Sequence, residues 1–589
     1  MSVAVSSVYI YYGVDAVPYA ATHVRVDPSV TIIPERAFAE RWKLEVVELP
    51  EGLVRIQACA FEKCQNLKRI NIPSTVQEIR YYAFSECEKL EVVMLSEGLR
   101  SLRQEAFCQC KSLQRIHIPS TILTIERASF YGCHSLTNVS FSEGLQRIKK
   151  DAFSSCKSLE SVTLPSSLKV IEVEAFEGCE VLNEIHIPDT IESIEARAFK
   201  NCNFTNFRIP PSMSNVVNIS IVGGNVSLVS LELPETIEQL DDNYSEQFTD
   251  LSVRNIALPS NFIDTDILYN CTELGLVFPD ADVDTISDAL KHRFDNLPIH
   301  KICYYQSYHD NETTLHSLRR EINPWTTKPP GQLNATGKQQ DCLGMTSLHI
   351  LACSTKPTIE MYRLLIEKYP EMLIMKDKWG DIPLMYAIWC NAPTEVLNLL
   401  VESYKSLHSD YEFDWSGMIQ TLTKRTVPLA NIQKLVQTQQ ISFPDQEYDM
   451  QALMVELASS DANRAVLYKP YTSIETFRYL LRISITKRLG ILGIARWLTD
   501  LENMVSALPL GSKSRVRDTQ TVYDRLATYE SIKEGTSVLE LVLWKTKIDE
   551  SRDKRARVSG EDISYKEQCR INSGADIIIR NVLSYLMPE

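Results

Sequence analysis

Phenylalanine returns every 23 residues through the first part of the chain, at Phe38, Phe61, Phe84, Phe107, Phe130, Phe153, Phe176 and Phe199. A fixed period of this length marks a chain that folds as stacked copies of one unit, which constrains the fold more than any composition does. Three further columns keep the same step. Cysteine stands at Cys64, Cys87, Cys110, Cys133, Cys156, Cys179 and Cys202, and leucine at Leu44, Leu67, Leu90, Leu113, Leu136, Leu159 and Leu182. Proline closes the unit at Pro50, Pro73, Pro119, Pro165, Pro188 and Pro211, with Ser96 and Ser142 in the missing places.

Each unit reads L-x-x-I-x-I-P, a short connection, then I-x-x-x-A-F-x-x-C. In the second unit Leu67, Ile70, Ile72, Val76, Ile79, Phe84 and Cys87 are expected to point inward. Ile70 and Ile72 alternate with Arg69 and Asn71, the period-two signature of a half-buried strand. Pro73 has no N–H to donate and ends it. One such unit buries too little apolar surface to fold alone, so neighbouring coils must seal both of its faces.

The pattern resembles the BspA-type leucine-rich repeat over about residues 30–280, because A-F-x-x-C followed by L-x-x-I-x-I-P at this period is diagnostic of that family. In that family glycine often follows the isoleucine before A-F. This chain has Gln57, Arg80, Arg103, Glu126, Lys149, Glu172 and Glu195 there, so its bend must use φ < 0 or carry strain. After Cys202 the A-F and cysteine columns stop. Pro211, Pro234, Pro259 and Pro279 still follow apolar runs, as irregular terminal coils would. Val8–Tyr12 and His23–Val26 are expected to cap the other end.

Inward positions are nearly uniform, whereas two outward columns vary from coil to coil. One runs Glu48, Asn71, Met94, His117, Ser140, Thr163 and His186; its neighbour runs Val46, Arg69, Val92, Arg115, Asn138, Ser161 and Glu184. A rigid frame presenting varied side chains is how solenoids hold extended partners, so these are the candidate partner-binding residues. A merely solvated face is the plainer reading, and the adjacent apolar pair Val92 and Met94 weighs against it. His117 and His186 lie three coils apart, ~14 Å, too far to share a metal. The cysteines form a single file rather than a tetrahedral set, so they read as small buried hydrophobes and not as a zinc site.

Downstream, residues 281–338 read as a junction, with a helix at Asp282–Arg293 and a linker at Pro324–Gly331. Gly344-Met345-Thr346-Ser347-Leu348-His349 with Ala352 then resembles the ankyrin signature G-x-T-x-L-H-x-x-A. The resemblance implies that Thr346 caps a helix and that His349 braces adjacent hairpins. A weaker copy runs from Gly380 to Ala387, 36 residues on, with second helices at Glu360–Lys368 and Thr394–Glu402. Two repeats fall short of a self-supporting array, so the following helices are expected to support them. Beyond 411, apolar stripes at Thr472–Arg482, Arg496–Leu508, Thr521–Tyr529, Ser537–Thr546 and Ala575–Leu586 read as helices, with a charged stretch at Asp549–Ser564.

The expected organisation is therefore a multidomain chain: a β-rich cap (1–30), a leucine-rich-repeat solenoid of 23-residue period (31–280, degenerate after 203), the junction (281–338), ankyrin-like hairpins (339–410) and an all-α C-terminal region (411–589). A formal charge of −15 opposes a general nucleic-acid or anionic-membrane surface, and the basic cluster Arg552–Arg557 reads as a solvated loop. The start of the chain lacks a basic region and carries Asp15, so it does not read as a secretory signal, and no apolar run is long enough to span a membrane. Fifteen cysteines in such a chain read as reduced thiols, and its eight N-x-S/T sequons as incidental. No hydrolase, kinase, phosphate-loop or metalloprotease motif occurs.

The function expected is a non-catalytic, cofactor-free scaffold, cytosolic or nuclear, whose partners are other proteins. Relatives of this repeat are often displayed on cells, so an exported surface or adhesion protein is the second reading, and an enzyme within 411–589 the third.

Overall fold

The computed structural model describes residues 8–446, except 15, 214–215, 242–252, 263–271, 323–338 and 426, together with Tyr479. The linker at 324–331, the charged stretch at 549–564 and, apart from Tyr479, the helical stripes beyond 472 lie outside the described residues. The described residues fall into two compact units divided between Tyr411 and Glu412.

The first unit begins as a β-solenoid of about nine turns. Among the described residues one side of it is a nine-stranded sheet in the order Tyr9–Tyr11, His23–Val26, Val46–Glu48, Arg69–Asn71, Val92–Met94, Arg115–Ile118, Asn138–Phe141, Ser161–Thr163 and Glu184–His186. All neighbours are parallel and most residues pair with the residue 23 positions on, such as Arg69 with Val92 and Ile70 with Val93. Repeat period and strand register are thus the same quantity. A second side carries two-residue strands such as Arg55–Ile56 and Glu78–Ile79, also parallel. Leu67, Ile70, Ile72, Val76, Ile79, Phe84 and Cys87 are all buried, none more than 3% exposed.

The third side, around A-F-x-x-C, has no strands yet is hydrogen-bonded along the axis. Cys59, Phe61 and Lys63 donate their N–H groups to Tyr81, Ala83 and Ser85 of the next coil at 2.9, 2.7 and 2.8 Å, while the alternating Ala60, Glu62 and Cys64 close tight turns. This alternation requires left-handed backbone two residues before and two after each phenylalanine. Those sixteen positions have φ of 51–73°, and Gly132 and Gly178 are the only glycines among them. A side chain in this conformation costs on the order of 1 kcal/mol, which the axial hydrogen bonds offset. The strain falls at Cys59, Tyr82 and their equivalents. Gln57, Arg80 and their column, where the family often has glycine, keep negative φ.

Inside, the phenylalanines stack face to face with centroids 4.6–5.6 Å apart, from Phe38–Phe61 to Phe176–Phe199. Tyr11 closes the column at one end, and Phe204 and Phe207 at the other. Each column thiol donates to the phenylalanine carbonyl of the preceding coil: Cys64 to Phe38, Cys87 to Phe61, and so on to Cys202 and Phe176, at 3.0–3.3 Å. The columns do not simply stop after Cys202. In the next coil Val222 takes the phenylalanine slot and Asn225 the cysteine slot, and the Asn225 amide donates to Phe199 O at 2.9 Å and to Val222 O at 2.7 Å. Asn206–Arg208 pairs with Ser230–Glu232, and Val216–Asn218 with Gln239–Asp241, so regular pairing outlasts the consensus.

The helices follow: α1 (Thr272–Val277), α2 (Val283–Lys291), α3 (Pro298–Tyr305), α4 (Asn311–Ile322), α5 (Ser347–Ala352), α6 (Ile359–Lys368), α7 (Pro383–Trp389) and α8 (Thr394–Leu407). The apolar run before Pro279, expected as a degenerate coil, is α1. α5 packs between α3 and α7, and α6 between α4 and α8, which makes a two-layer stack of three hairpins. The preceding α3–α4 pair, which had read as junction, therefore supports the second and third hairpins. In the second unit α9 (Trp415–Lys424) and α10 (Leu429–Ser442) pack together. No helix among the described residues is long and apolar enough to cross a membrane.

Two outcomes follow from the stack. Phe107→Ala opens a hole in the aromatic column and is expected to cost about 3–5 kcal/mol in urea denaturation, with Arg69→Glu leaving the midpoint unchanged. Burial pushes the thiols of Cys87, Cys110, Cys133, Cys156 and Cys179 far above the ordinary cysteine range, so iodoacetamide should modify them only after denaturation, as mass spectrometry of the tryptic peptides would show.

Candidate functional site: the outward strand face and the cleft at its end

The strand pleat sends alternate residues to opposite faces, so Val47, Ile70, Val93, Ile116, Val139 and Val162 are buried while their neighbours emerge. All thirteen candidates are on the emerging side. Glu48, Arg69, Asn71, Val92, Met94, Arg115, His117, Asn138, Ser140, Ser161, Thr163, Glu184 and His186 are exposed. Axial register aligns them: Asn71 stands opposite Met94, Arg115 opposite Asn138, His117 opposite Ser140, and Thr163 opposite His186. Met94 is 64% and Val92 40% exposed, an apolar spot between Arg69 and Arg115. Glu48 pairs with Arg25 at 2.5 Å, and His117 meets the hydroxyls of Ser140 at 2.9 Å and Ser142 at 3.2 Å.

The helical stack closes the far end of this face. Tyr304 on α3 donates its hydroxyl to Leu231 O at 2.8 Å and accepts from Ala257 N at 3.1 Å, and Trp389 on α7 donates to Ser227 O at 3.1 Å. These side chains occupy backbone groups of the last coils that an open sheet edge would leave unpaired. Arg254, sandwiched near the Trp379 and Trp389 rings, pairs with Asp381 at 2.6 Å. Arg293 holds Asp341 through Nε and Nη2 at 2.8 and 2.7 Å with both side chains fully buried. Glu232 is also fully buried; burial raises its pKa, and Ser307, together with the Thr355 N–H and hydroxyl, donates to its oxygens.

Sequence reasoning missed what this closure creates. Between the ends of the outward columns and the turns after α5 and α7 lies a cleft of about 260 Å³, lined by Glu184, His186, Asn206, Arg208, Thr355, Lys356 and Asn391 among others. Its signal in the sequence was Phe207-Arg208-Ile209, which reads as one more decayed repeat, and nothing local ties Arg208 to Lys356, which the α3–α4 hairpin sets apart in the chain.

Within the stack, Thr346 accepts at the start of α5, and His349 Nδ1 accepts from Thr346 N at 3.1 Å while Nε2 donates to Asp381 O at 3.1 Å in the adjoining hairpin. Burial holds the His349 pKa down to about 4.

This is the architecture of a leucine-rich-repeat solenoid with a helical C-terminal region. Residues 31–160, 100–220, 146–275 and 223–309 match the BspA type Leucine rich repeat region, so the N-terminal half of the chain carries that repeat. A leucine-rich repeat protein from Bacteroides ovatus is similar at 24% identity over 43% of this chain and 76% of its own, with a TM-score of 0.35. A leucine rich cell surface protein from Faecalibacterium prausnitzii is similar at 22% over 45% and 86%, with a TM-score of 0.26. The pneumococcal vaccine antigen PcpA is similar at 18% over 43% and 82%, with a TM-score of 0.24. No curated protein matches the chain.

The neutral His349 sets a pH dependence. Its native pKa of about 4 lies below the 6.5 of the free side chain, so below pH 6.5 the unfolded chain takes up a proton that the native one refuses. Stability from this group is full above 6.5 and declines as pH falls toward 4, by on the order of 3 kcal/mol. Burial also depresses His300 to about 4 and raises Glu232, Asp377 and Asp381, and those carboxyls act in the opposite sense. The clean measurement is the stability gap between wild type and His349→Gln, which should shrink from pH 7 to pH 4; a constant gap would refute the depressed pKa.

Proposed function

We propose that the protein is a non-catalytic scaffold that holds a partner protein along the outward strand face of its solenoid. The observation that carries this reading is the contrast within each strand. Middle residues are confined to valine and isoleucine through most of the sheet and are buried, while their aligned neighbours vary and are exposed. A frame fixed by its core leaves that face free to acquire contacts. Many modest contacts, with the Val92–Met94 spot at the centre and Arg69 and Arg115 flanking it, suit a standard protein interface better than a small-molecule site.

The α5–α8 hairpins are read as ankyrin-like repeats, supported by the Thr346 cap and by the His349 link to the adjoining hairpin. Work in a reducing compartment, the cytosol or nucleus, is supported by the thiol column, since each S–H is used as a donor that a disulfide would remove. Two sequon asparagines, Asn203 and Asn225, are buried and engaged in the fold and cannot carry a glycan.

Proteins that co-purify with the tagged chain from its own cells should be recovered in reduced amount with the double variant Arg69→Glu, Arg115→Glu. Full recovery by a variant with an unchanged circular dichroism spectrum removes the strand face from the reading. A mobility change on glycosidase treatment of the native protein favours the exported alternative.

A further inference from the structure

The cleft at the end of the outward columns contains a cation that uses one of its three donor nitrogens among the described residues. Arg208 reaches it from the strand Asn206–Arg208 with a side chain only 7% exposed, and its guanidinium lies 4.4 Å from the centre of the Tyr308 ring. Nη1 donates to Asp189 Oδ1 at 2.6 Å, whereas Nε and Nη2 have no acceptor among the described residues. Those two groups are the side of a guanidinium that grips a carboxylate with two parallel hydrogen bonds. Both have almost no surface open to water, so a carboxylate in the cleft feels their charge through little intervening solvent and is gripped once the Arg208 side chain turns toward it.

The surroundings agree. Lys356, in the turn after α5, forms no ion pair among the described residues, and burial followed by Arg208 holds its pKa below the ordinary lysine range. His186, exposed on the outer column but partly desolvated on its cleft side, is held down by that desolvation first, then by Lys356 and Arg208. Three basic groups thus feel one another across the cleft. Of the nearby carboxylates, Asp189 is already paired with Arg208, Glu232 is satisfied by Ser307 and Thr355, and Glu184 stands exposed on the outer column.

We propose that this cleft is a subsite for one acidic side chain of a partner protein whose extended segment lies along the outward columns. The inference rests on the scaffold reading and names the chemistry that fixes where the bound segment ends. At about 260 Å³ the cleft is below the ~300–1,000 Å³ that hold whole small-molecule ligands, and a carboxylate-bearing side chain fits it. The cleft also continues the line of exposed residues that ends in Glu184 and His186, so a chain following that line arrives at it. Lys356 would meet the carboxylate at the mouth, with Arg208 behind.

The test is fluorescence anisotropy of a fluorescein-labelled hexaglutamate amide titrated with the full chain. Saturable, salt-sensitive binding is expected, weakened about tenfold by Lys356→Gln, the loss of roughly one charge-assisted hydrogen bond. Arg208→Lys, which keeps the charge and loses the fork, should weaken it at least as much, and Arg69→Glu with Arg115→Glu should leave it within about twofold. Binding abolished by the Arg69 and Arg115 changes but untouched by Lys356→Gln would place the acidic chain on the columns and overturn the subsite alone, leaving the scaffold reading intact. Displacement of the peptide by equimolar inorganic phosphate would overturn the side-chain assignment in favour of a free oxyanion, and absence of hexaglutamate binding would overturn it outright.

Discussion

Everything in the first unit depends on hydrogen bonds that run along the solenoid axis. A coil of 23 residues has no closed structure of its own; its N–H groups find acceptors in the coils before and after it on all three sides. The lateral dimension is therefore filled with side chains while the axial one is filled with backbone. That division explains why each inner position tolerates so little change. Phe107 must match Phe84 and Phe130 in size because it stacks between them at 5.1 and 5.6 Å with the rings within 4° of parallel.

The repeat was legible because it is written many times. Its inward set, its strand ends and its aligned outward columns all follow from one period, and a single coil predicts the rest. Two features escaped. The left-handed residues at Cys59, Tyr82, Glu86 and most of their equivalents carry ordinary side chains, with glycine only at Gly132 and Gly178, so no glycine column signals them; the conformation is imposed by the neighbouring coil. The coil after Cys202 was hidden because its residues were judged by type, and Asn225 does with an amide what cysteine does with a thiol.

The helical part was legible chiefly where a signature marked it. Thr346 and His349 announce α5, whereas α3, which opens on Pro298, and α4, capped by Asp310, belong to no signature and read as connection. Their place is set by distant partners: Tyr304 of α3 on the backbone of the last coils, and α4 on α6. The cleft is of the same kind. Arg208 belongs to the solenoid and Lys356 to the hairpins, and only the joint between the two brings them together.

Asn225 also gives the solenoid a direction. In the coils before it, the phenylalanine carbonyl receives its side-chain donor from the coil that follows, so each layer is left wanting a successor. An amide has two hydrogens where a thiol has one, and Asn225 spends the second on its own layer at Val222. The demand is met and the series can end. Gain or loss of whole layers upstream, by duplication or deletion of a 23-residue block, would leave this terminator and the joint beyond it unchanged, so the reach of the frame is free to drift while its far end stays the same.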